Sequence, residues 1–491
     1  MLNILAFDYG ASSGRGILGK FDGNKIFISE IHRFNNEPIS INNSIYWDIL
    51  RLFYEMKKGI RKCINISNND ISGIGVDTWG VDFGILDKNG DLLCNPYHYR
   101  DNRTEGMIEK ASSYMSKEEI YNTTGIAFQK FNSIYQLLSM KEKSHPVYDK
   151  IQTLLFTPDL LNYFLTGNKL SEYTIASTSQ MLNIKTNNWA EEMLKEMNLS
   201  SGILTDIINP GTIYGNLKKD IADELNTKSI PVISVCEHDT GSAVVAVPAA
   251  NKKYAYISSG TWSLLGIESD IPIINKKSFN VNYTNEGGIN STFRFLKNII
   301  GLWILQECKR EWDRVGEIID YNDLVLLAEK EKSFDSLIDP DNEVFYSPGD
   351  MMNKIVNYCK NTNQKIPETK GEIVRCILES LALKYRMAVE ELEDIIGYNL
   401  SVIHIVGGGS QNKMLNQFTA NSTGKKVISG PVEATAIGNL MVQLLALNEV
   451  SDLEQIRTIV TNSFLIEECE PFDIDLWDEA YDRFKKLVAK N

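Results

Sequence analysis

One device in the sequence occurs twice. Leu2-Asn-Ile-Leu-Ala-Phe7 is a short apolar strand that enters the polar turn Asp8-Tyr-Gly-Ala-Ser-Ser-Gly-Arg15, and Gly16–Phe21 resumes strand character. Asp22-Gly23 reads as a hairpin turn and Lys25–Phe34 as a third, alternating strand. No helix follows the first turn and no G-K-[ST] is present, so it is not a P-loop. It can still grip phosphate, because Gly10 and Gly14 permit unusual φ/ψ, backbone N–H groups can point inward, and Ser12 and Ser13 add donors. Asp8 at the strand end suits a hydrated Mg²⁺, which takes one or two carboxylates plus water and phosphate oxygens. An ordinary Gly-rich hairpin with a solvated aspartate is the competing reading. About 250 residues later Tyr254-Ala-Tyr-Ile-Ser-Ser-Gly-Thr-Trp-Ser-Leu-Leu-Gly266 is again strand, Gly/Ser/Thr turn, strand. Two such grips imply an internally duplicated fold whose halves clasp a nucleotide.

The length allows this. A chain of 491 residues is too long for one core, and the expected domains are residues 1–247 and 248–491, with Pro248–Lys253 as the link. The net charge of -14 argues against nucleic-acid and anionic-membrane partners, which need a basic surface. The seven cysteines show no C-x-x-C pattern, which fits a reduced cytosol, and the five histidines are not at metal-ligand spacings. With no signal segment and no apolar run of spanning length, the expected location is the cytoplasm. The sequence leaves the oligomeric state open, a monomer included.

Between the two grips lie the stretches that carry chemistry. Ile230-Pro-Val-Ile-Ser-Val-Cys236 is a buried strand, Glu237-His-Asp-Thr240 a polar cluster, and Gly241–Val247 a small-residue helix suited to packing on a sheet. Carboxylates between a strand end and a helix start face the ligand crevice of an α/β sheet. Asp239 is thus either a helix cap or a positioned general base. Asp77-Thr-Trp-Gly-Val-Asp-Phe83 joins an aromatic residue, two carboxylates and a glycine, the mixture a sugar site needs, although Trp79 can equally be core. Tyr99-Arg-Asp-Asn-Arg-Thr104 is a salt-bridge corner or a wall of the site. Residues 105–225 read as mainly helical, with Thr157 as N-cap, Pro158 at the first helical position and Gly167 as stop. Further on, Glu372–Ile396 is a long amphipathic helix. The strand Val402–Val406 ends in Gly407-Gly-Gly409, which permits close approach by a flat ligand such as adenosine.

Asp8–Arg15, His238–Thr240, Ser258–Ser263 and Gly407–Gly409 occur in the order seen in the sugar-kinase branch of the actin/hexokinase-like ATPases, and the chain resembles the FGGY carbohydrate kinases from Asp8 to about Leu447. The resemblance implies an α/β fold of two duplicated ribonuclease H-like domains with an interdomain cleft. The N-terminal domain would bind sugar and supply the base, and the C-terminal domain would bind nucleotide. Within the family, Asp77–Phe83, Tyr99–Thr104, Glu237–Thr240 and Asn298–Gln306 are most similar to the kinases that act on L-rhamnulose. This similarity implies ATP-dependent phosphorylation of L-rhamnulose at its C1 hydroxyl in L-rhamnose catabolism, with L-fuculose or L-xylulose as the alternative acceptor. Carried over residue by residue, Asp239 would be the catalytic base. Gly80, His238, Thr240 and Asn298 would bind the sugar beside it. Ala11, Ser12, Ser13, Gly14, Arg15, Thr261, Gln306 and Gly408 would hold ATP, and Asp8 would serve Mg²⁺ through water. An actin- or Hsp70-like motor gives His238-Asp239-Thr240 no purpose, and a sugar-binding regulator would not need Asp8, Asp239 and Thr261 together.

Overall fold

The computed structural model describes residues 1–489. The chain forms two compact units that interleave along the sequence. Unit 1 holds Met1–Ala246, Glu268–Phe295 and Ala434–Ser463, and unit 2 holds Val247–Ile267, Leu296–Glu433 and the residues after Ser463. Residues 268–295 and 434–463, expected in the second domain, thus cluster with the first. The last two residues of the expected 248–491 domain lie outside the described residues.

Unit 1 is built on a six-stranded sheet in the order Thr212–Asn216, Pro231–Ser234, Gly73–Thr78, Leu2–Tyr9, Ser13–Phe21, Ile26–Asn35. Leu2–Tyr9 and Ser13–Phe21 form the antiparallel hairpin, and Ser13–Phe21 pairs antiparallel with Ile26–Asn35. Gly73–Thr78 runs parallel to Leu2–Tyr9, and Pro231–Ser234 runs parallel to Gly73–Thr78. Thr212–Asn216 closes the edge antiparallel. Parallel strands are covered on both faces and so read as unbroken apolar runs. Ile4, Leu5, Ala6 and Phe7 accordingly have no exposed surface.

Unit 2 repeats the scheme. From Phe293–Ile300 its sheet continues through Trp262–Ser269, Tyr254–Ser259, Val402–Val406, Lys426–Ser429 and Glu467–Cys469. Tyr254–Ser259 again forms an antiparallel hairpin with its successor, followed by two parallel neighbours and an antiparallel edge strand. In both sheets the first strand stands between its hairpin partner and two successive parallel strands, and the second of these carries an antiparallel edge strand, which is the duplication the repeated turn implies.

The helices follow their local signals. Asp48 accepts from Arg51 N to open Ile49–Ser67, and Asn68 closes it at φ 54°. Thr369 and Glu372 form a capping box that starts Lys370–Ile396 two residues before the expected point, and Gly397 stops it at φ 79°. Thr157 is no cap: the helix Thr157–Thr166 has Phe156 at its N-cap, and the Thr157 hydroxyl donates to Asp82 O instead. The region 105–225 also contains short strands, among them Thr153–Phe156 paired with Phe83–Leu86. The small residues of helix Asp239–Val245 pack chiefly against another helix, and this element also touches strand Gly73–Thr78 of the expected sheet. That other helix is Ala434–Ala446, where a Cβ on Gly438 would stand 1.8 Å from Ser242 O. Among the described residues no helix is long and apolar enough to cross a membrane, and the cysteines are free thiols.

Candidate active site

In unit 1 the carboxyl ends of three parallel strands come together. Trp79 N donates to Tyr9 O, Thr78 N donates to Glu237 O, and Thr78 pairs with His238. His238 occupies the N-cap of helix Asp239–Val245 without a side-chain capping bond, so the cap reading of Asp239 does not hold. Asp239 instead turns its carboxylate onto its own neighbours. Thr240 N donates to Oδ1 at 2.5 Å, Thr240 Oγ1 lies 3.1 Å from the same oxygen, and His238 Nε2 lies 3.3 Å from it. All three contacts fall on Oδ1, which leaves Oδ2 as the oxygen for a reacting group. The side chain is 32% exposed. Even so, burial raises its pKa, and His238 and Thr240 only partly offset burial and the nearby Asp8.

Gly80 belongs to this group, because a Cβ there would stand 3.3 Å from His238 Nε2 and 3.4 Å from Thr178. The turn that carries it is held under strain, with Val81 at φ 68°. Val81 N donates to Thr178 Oγ1, and Val81 O accepts from Ser133 Oγ. Asp82, expected to meet sugar hydroxyls, is fully buried. Its carboxylate accepts from Trp47 Nε1 at 2.6 Å, Trp79 Nε1 at 3.0 Å, Tyr99 N at 3.1 Å and Gln136 Nε2 at 2.9 Å. Burial lifts its pKa to about 6 against these donors. Trp79, 5% exposed and 4.1 Å from the Trp47 ring centroid, is core beneath the turn. Tyr99–Thr104 is a structural corner. Asp101 accepts from Ile45 N and Arg103 N, and Arg103 reaches Gln136 and the Tyr97 ring. Glu237 is likewise buried, held by Asn162 Nδ2 at 2.8 Å.

At the first hairpin, Asp8 stands opposite Arg15 in register and pairs with it. Neither Gly10 nor Gly14 takes a positive φ, contrary to the sequence reading. Gly14 is required because a Cβ there would collide with the Phe34 ring at 2.2 Å. Ala11 is half-buried, Ser12 exposed and Ser13 half-buried. Asn36 fixes this turn by donating its Nδ2 to Gly10 O and its N to Ser12 O. Among the described residues no group of three metal-ligating side chains converges on one point. Asp77 lies beside Asp8 in register and accepts from Asn439 Nδ2 at 2.6 Å, while its buried Oδ1 has no partner. Burial, then Asp8 and Asp239, push its pKa far up. A divalent cation near Asp8 and Asp77 would relieve this repulsion, so the residues present fit Mg²⁺.

Unit 2 brings Thr261 and Gln306 together, with Oγ1 and Oε1 3.0 Å apart. Gly301 N and Trp303 N both donate to Thr261 O. The glycine triplet is divided in its duties. Gly407 has φ 84°, a Cβ on Gly409 would strike Ser259 Oγ at 2.0 Å, and a Cβ on Gly408 would meet nothing within 4 Å. Gly408 is thus the exposed member, open to a ligand. Asn298 keeps a buried Oδ1 without a hydrogen-bond partner.

Two residues of this site carry no signal in the sequence. Arg294, fully buried, places Nη2 3.0 Å from His238 Nδ1, and Glu286 Oε2 lies 3.3 Å from that nitrogen and 3.2 Å from Arg294. Burial alone would raise the pKa of Glu286, but Arg294 and His238 bring it below the ordinary value.

The chain matches the model of the FGGY family of carbohydrate kinases, N-terminal domain, over residues 3–246 and its C-terminal domain over residues 255–447. It is 43% identical to the rhamnulokinase of Bacteroides thetaiotaomicron, covering 99% of both chains. It is 41% identical to that of Bacillus subtilis over 96% of each. In fold it superposes on a ligand-bound xylulose kinase from Lactobacillus acidophilus with a TM-score of 0.84 at 16% identity, covering 100% of this chain and 98% of that one. Plasmodium falciparum glycerol kinase with ADP gives 0.79 at 18%, covering 100% and 98%. A duplicated sheet scheme, a polar cluster at its carboxyl edge and full-length similarity lead to one assignment: this chain belongs to the FGGY family of carbohydrate kinases.

Proposed function

We propose that the protein transfers the γ-phosphoryl group of ATP to the C1 hydroxyl of L-rhamnulose, giving L-rhamnulose 1-phosphate and ADP. The observation that carries this reading is the Asp239 carboxylate. Its Oδ1 is anchored by neighbours, and its Oδ2 is left to accept the hydroxyl proton as the oxygen attacks phosphorus. The full-length similarity to rhamnulokinases selects the sugar. Phosphoryl transfer asks chiefly for in-line positioning and neutralised charge. His238, Thr240 and Gly80 hold the sugar beside the base, and Asn298 offers its unpartnered Oδ1 to a hydroxyl. Ala11, Ser12, Ser13, Gly14 and Arg15 hold phosphate, as do Thr261, Gln306 and Gly408. Asp8 and Asp77 would hold hydrated Mg²⁺, which when bound neutralises phosphate charge. Unit 1 serves as the sugar-binding, base-bearing domain and unit 2 as the nucleotide-binding domain. We place the enzyme in the cytoplasm, with small molecules as its partners and neither nucleic acid nor membrane among them.

The test is ADP release with MgATP and a panel of L-rhamnulose, L-fuculose, L-xylulose, D-xylulose, L-ribulose and glycerol. L-Rhamnulose should lead by kcat/KM, and a lead by another ketose would reassign the sugar while keeping the base. Asp239→Asn should lose on the order of 10²- to 10⁴-fold in kcat while retaining ATP binding. A nearly active variant would reject Asp239 as the base.

A further inference from the structure

We propose that Arg294 is a positioning residue that fixes His238 as its Nε2–H tautomer, so that the N–H side of the ring faces the Asp239 carboxylate as an electrostatic contact and the proton-accepting oxygen of the base is Oδ2. A guanidinium carries only donors, and a neutral imidazole has one N–H and one acceptor nitrogen. Arg294 Nη2 faces His238 Nδ1 at 3.0 Å, so Nδ1 must be the acceptor and Nε2 must carry the hydrogen. Nε2 in turn lies 3.3 Å from Asp239 Oδ1.

The alternative is a hydrogen on Nδ1 donated to Glu286 Oε2, which stands 3.3 Å away. That oxygen also lies 3.2 Å from Arg294 Nη2, which already gives it a charge partner, and a hydrogen on Nδ1 would have to face the Nη2 donor at 3.0 Å. The guanidinium is itself enclosed and anchored through Nε. It has no exposed surface, and its Nε donates to Gly287 O at 2.8 Å. The backbone of His238 is pinned as well, by its N–H on Thr174 Oγ1. Without Arg294, Glu286 would capture an Nδ1–H, and Nε2 would turn a lone pair toward the carboxylate. Asp239 would then lose the favourable N–H dipole beside Oδ1 and meet repulsion in its place.

The inference rests on Asp239 being the base, but the tautomer can be read without turnover. The experiment is ¹⁵N NMR of the full chain labelled at histidine, with His238 assigned by the signals lost in His238→Gln. The expected wild-type pattern is a protonated Nε2 and a bare Nδ1, and a protonated Nδ1 overturns the proposal outright. Arg294→Met should move the hydrogen to Nδ1 and lower kcat on the order of 10- to 100-fold. If that variant does not fold, Arg294→Met with Glu286→Gln removes both buried charges and should lose the single Nε2–H pattern. Unchanged tautomer and kcat in either variant refute the role of Arg294. In the His238→Gln background, where no tautomer exists, Arg294→Met should change kcat by no more than about twofold, whereas a purely structural role would make the two losses multiply. A wild-type enzyme that fails to use L-rhamnulose would sink the sugar assignment and leave the tautomer result standing.

Discussion

Asp239 and Asp82 are both protected carboxylates, and their surroundings give them opposite uses. Asp82 has donors on both oxygens, so it organises the turn that carries Gly80 and has no oxygen left for chemistry. Replacing it by alanine strands two indole N–H groups and a backbone N–H, whereas the Gln136 amide keeps Phe131 O. Asp82→Ala should destabilise unit 1 by about 3–5 kcal/mol, measured by urea unfolding followed through tryptophan fluorescence, because each orphaned buried donor costs about 1–3 kcal/mol. A loss below about 1 kcal/mol would show that water reaches the turn. Asp239 keeps Oδ2 open, and its raised pKa has a kinetic consequence. The base works only as a carboxylate, so kcat/KM should fall as pH drops through an apparent pKa above the ordinary value of about 3.9. A pH–rate profile that stays flat down to about pH 4 would contradict that. Asp239 is legible in the sequence because its neighbours Glu237, His238 and Thr240 mark a strand-to-helix junction. Arg294 is not, since it meets His238 across 56 residues of chain and nothing local announces the contact.

At the scale of elements, the helix that starts with Asp239 is held by one close approach. Ser242 O and Gly438 leave no room for a side chain, since a Cβ at 438 would stand 1.8 Å from that carbonyl. Glycine costs about 1 kcal/mol of helix propensity relative to alanine, so its presence in the middle of Ala434–Ala446 points to packing. Gly438→Leu must push the two helices apart. It should cost about 1–3 kcal/mol or more in stability and lower kcat by shifting Asp239, although residue 438 lies in the other helix. Thermal unfolding together with steady-state kinetics would check this, and an unshifted Tm with normal kcat would mean the contact is looser than it stands. The small-residue run Gly241–Val247 announced tight packing in the sequence but could not name the partner. A sheet and a helix make the same demand for small side chains. The paired hairpins and the glycine triplet were readable because each is local.

For the whole molecule, the duplication was visible in two turns, whereas the return of the chain to unit 1 was not. The signal for that return lies in glycines of the first sheet. A Cβ on Gly75 would stand 2.5 Å from Asn439 Oδ1, and one on Gly19 would stand 2.9 Å from Leu440. Those strands are therefore shaped to seat helix Ala434–Ala446. Gln443 Nε2 donates to Leu5 O and Asn439 Nδ2 to Asp77, so the helix also satisfies groups beneath it. Ile437, Leu440, Met441 and Leu444 are fully buried. At about 1.5–3 kcal/mol for each such side chain, their burial is worth roughly 6–12 kcal/mol, comparable to the whole stability of a typical domain. A fragment ending at residue 247 should therefore fail to fold on its own. Circular dichroism and proton NMR of residues 1–247 should show no cooperative melt and little dispersion. Appending residues 434–463 through a flexible linker should restore part of both. If the bare fragment melts cooperatively near the temperature of the full chain, the helix is an accessory, and Asp77 must find its partner elsewhere.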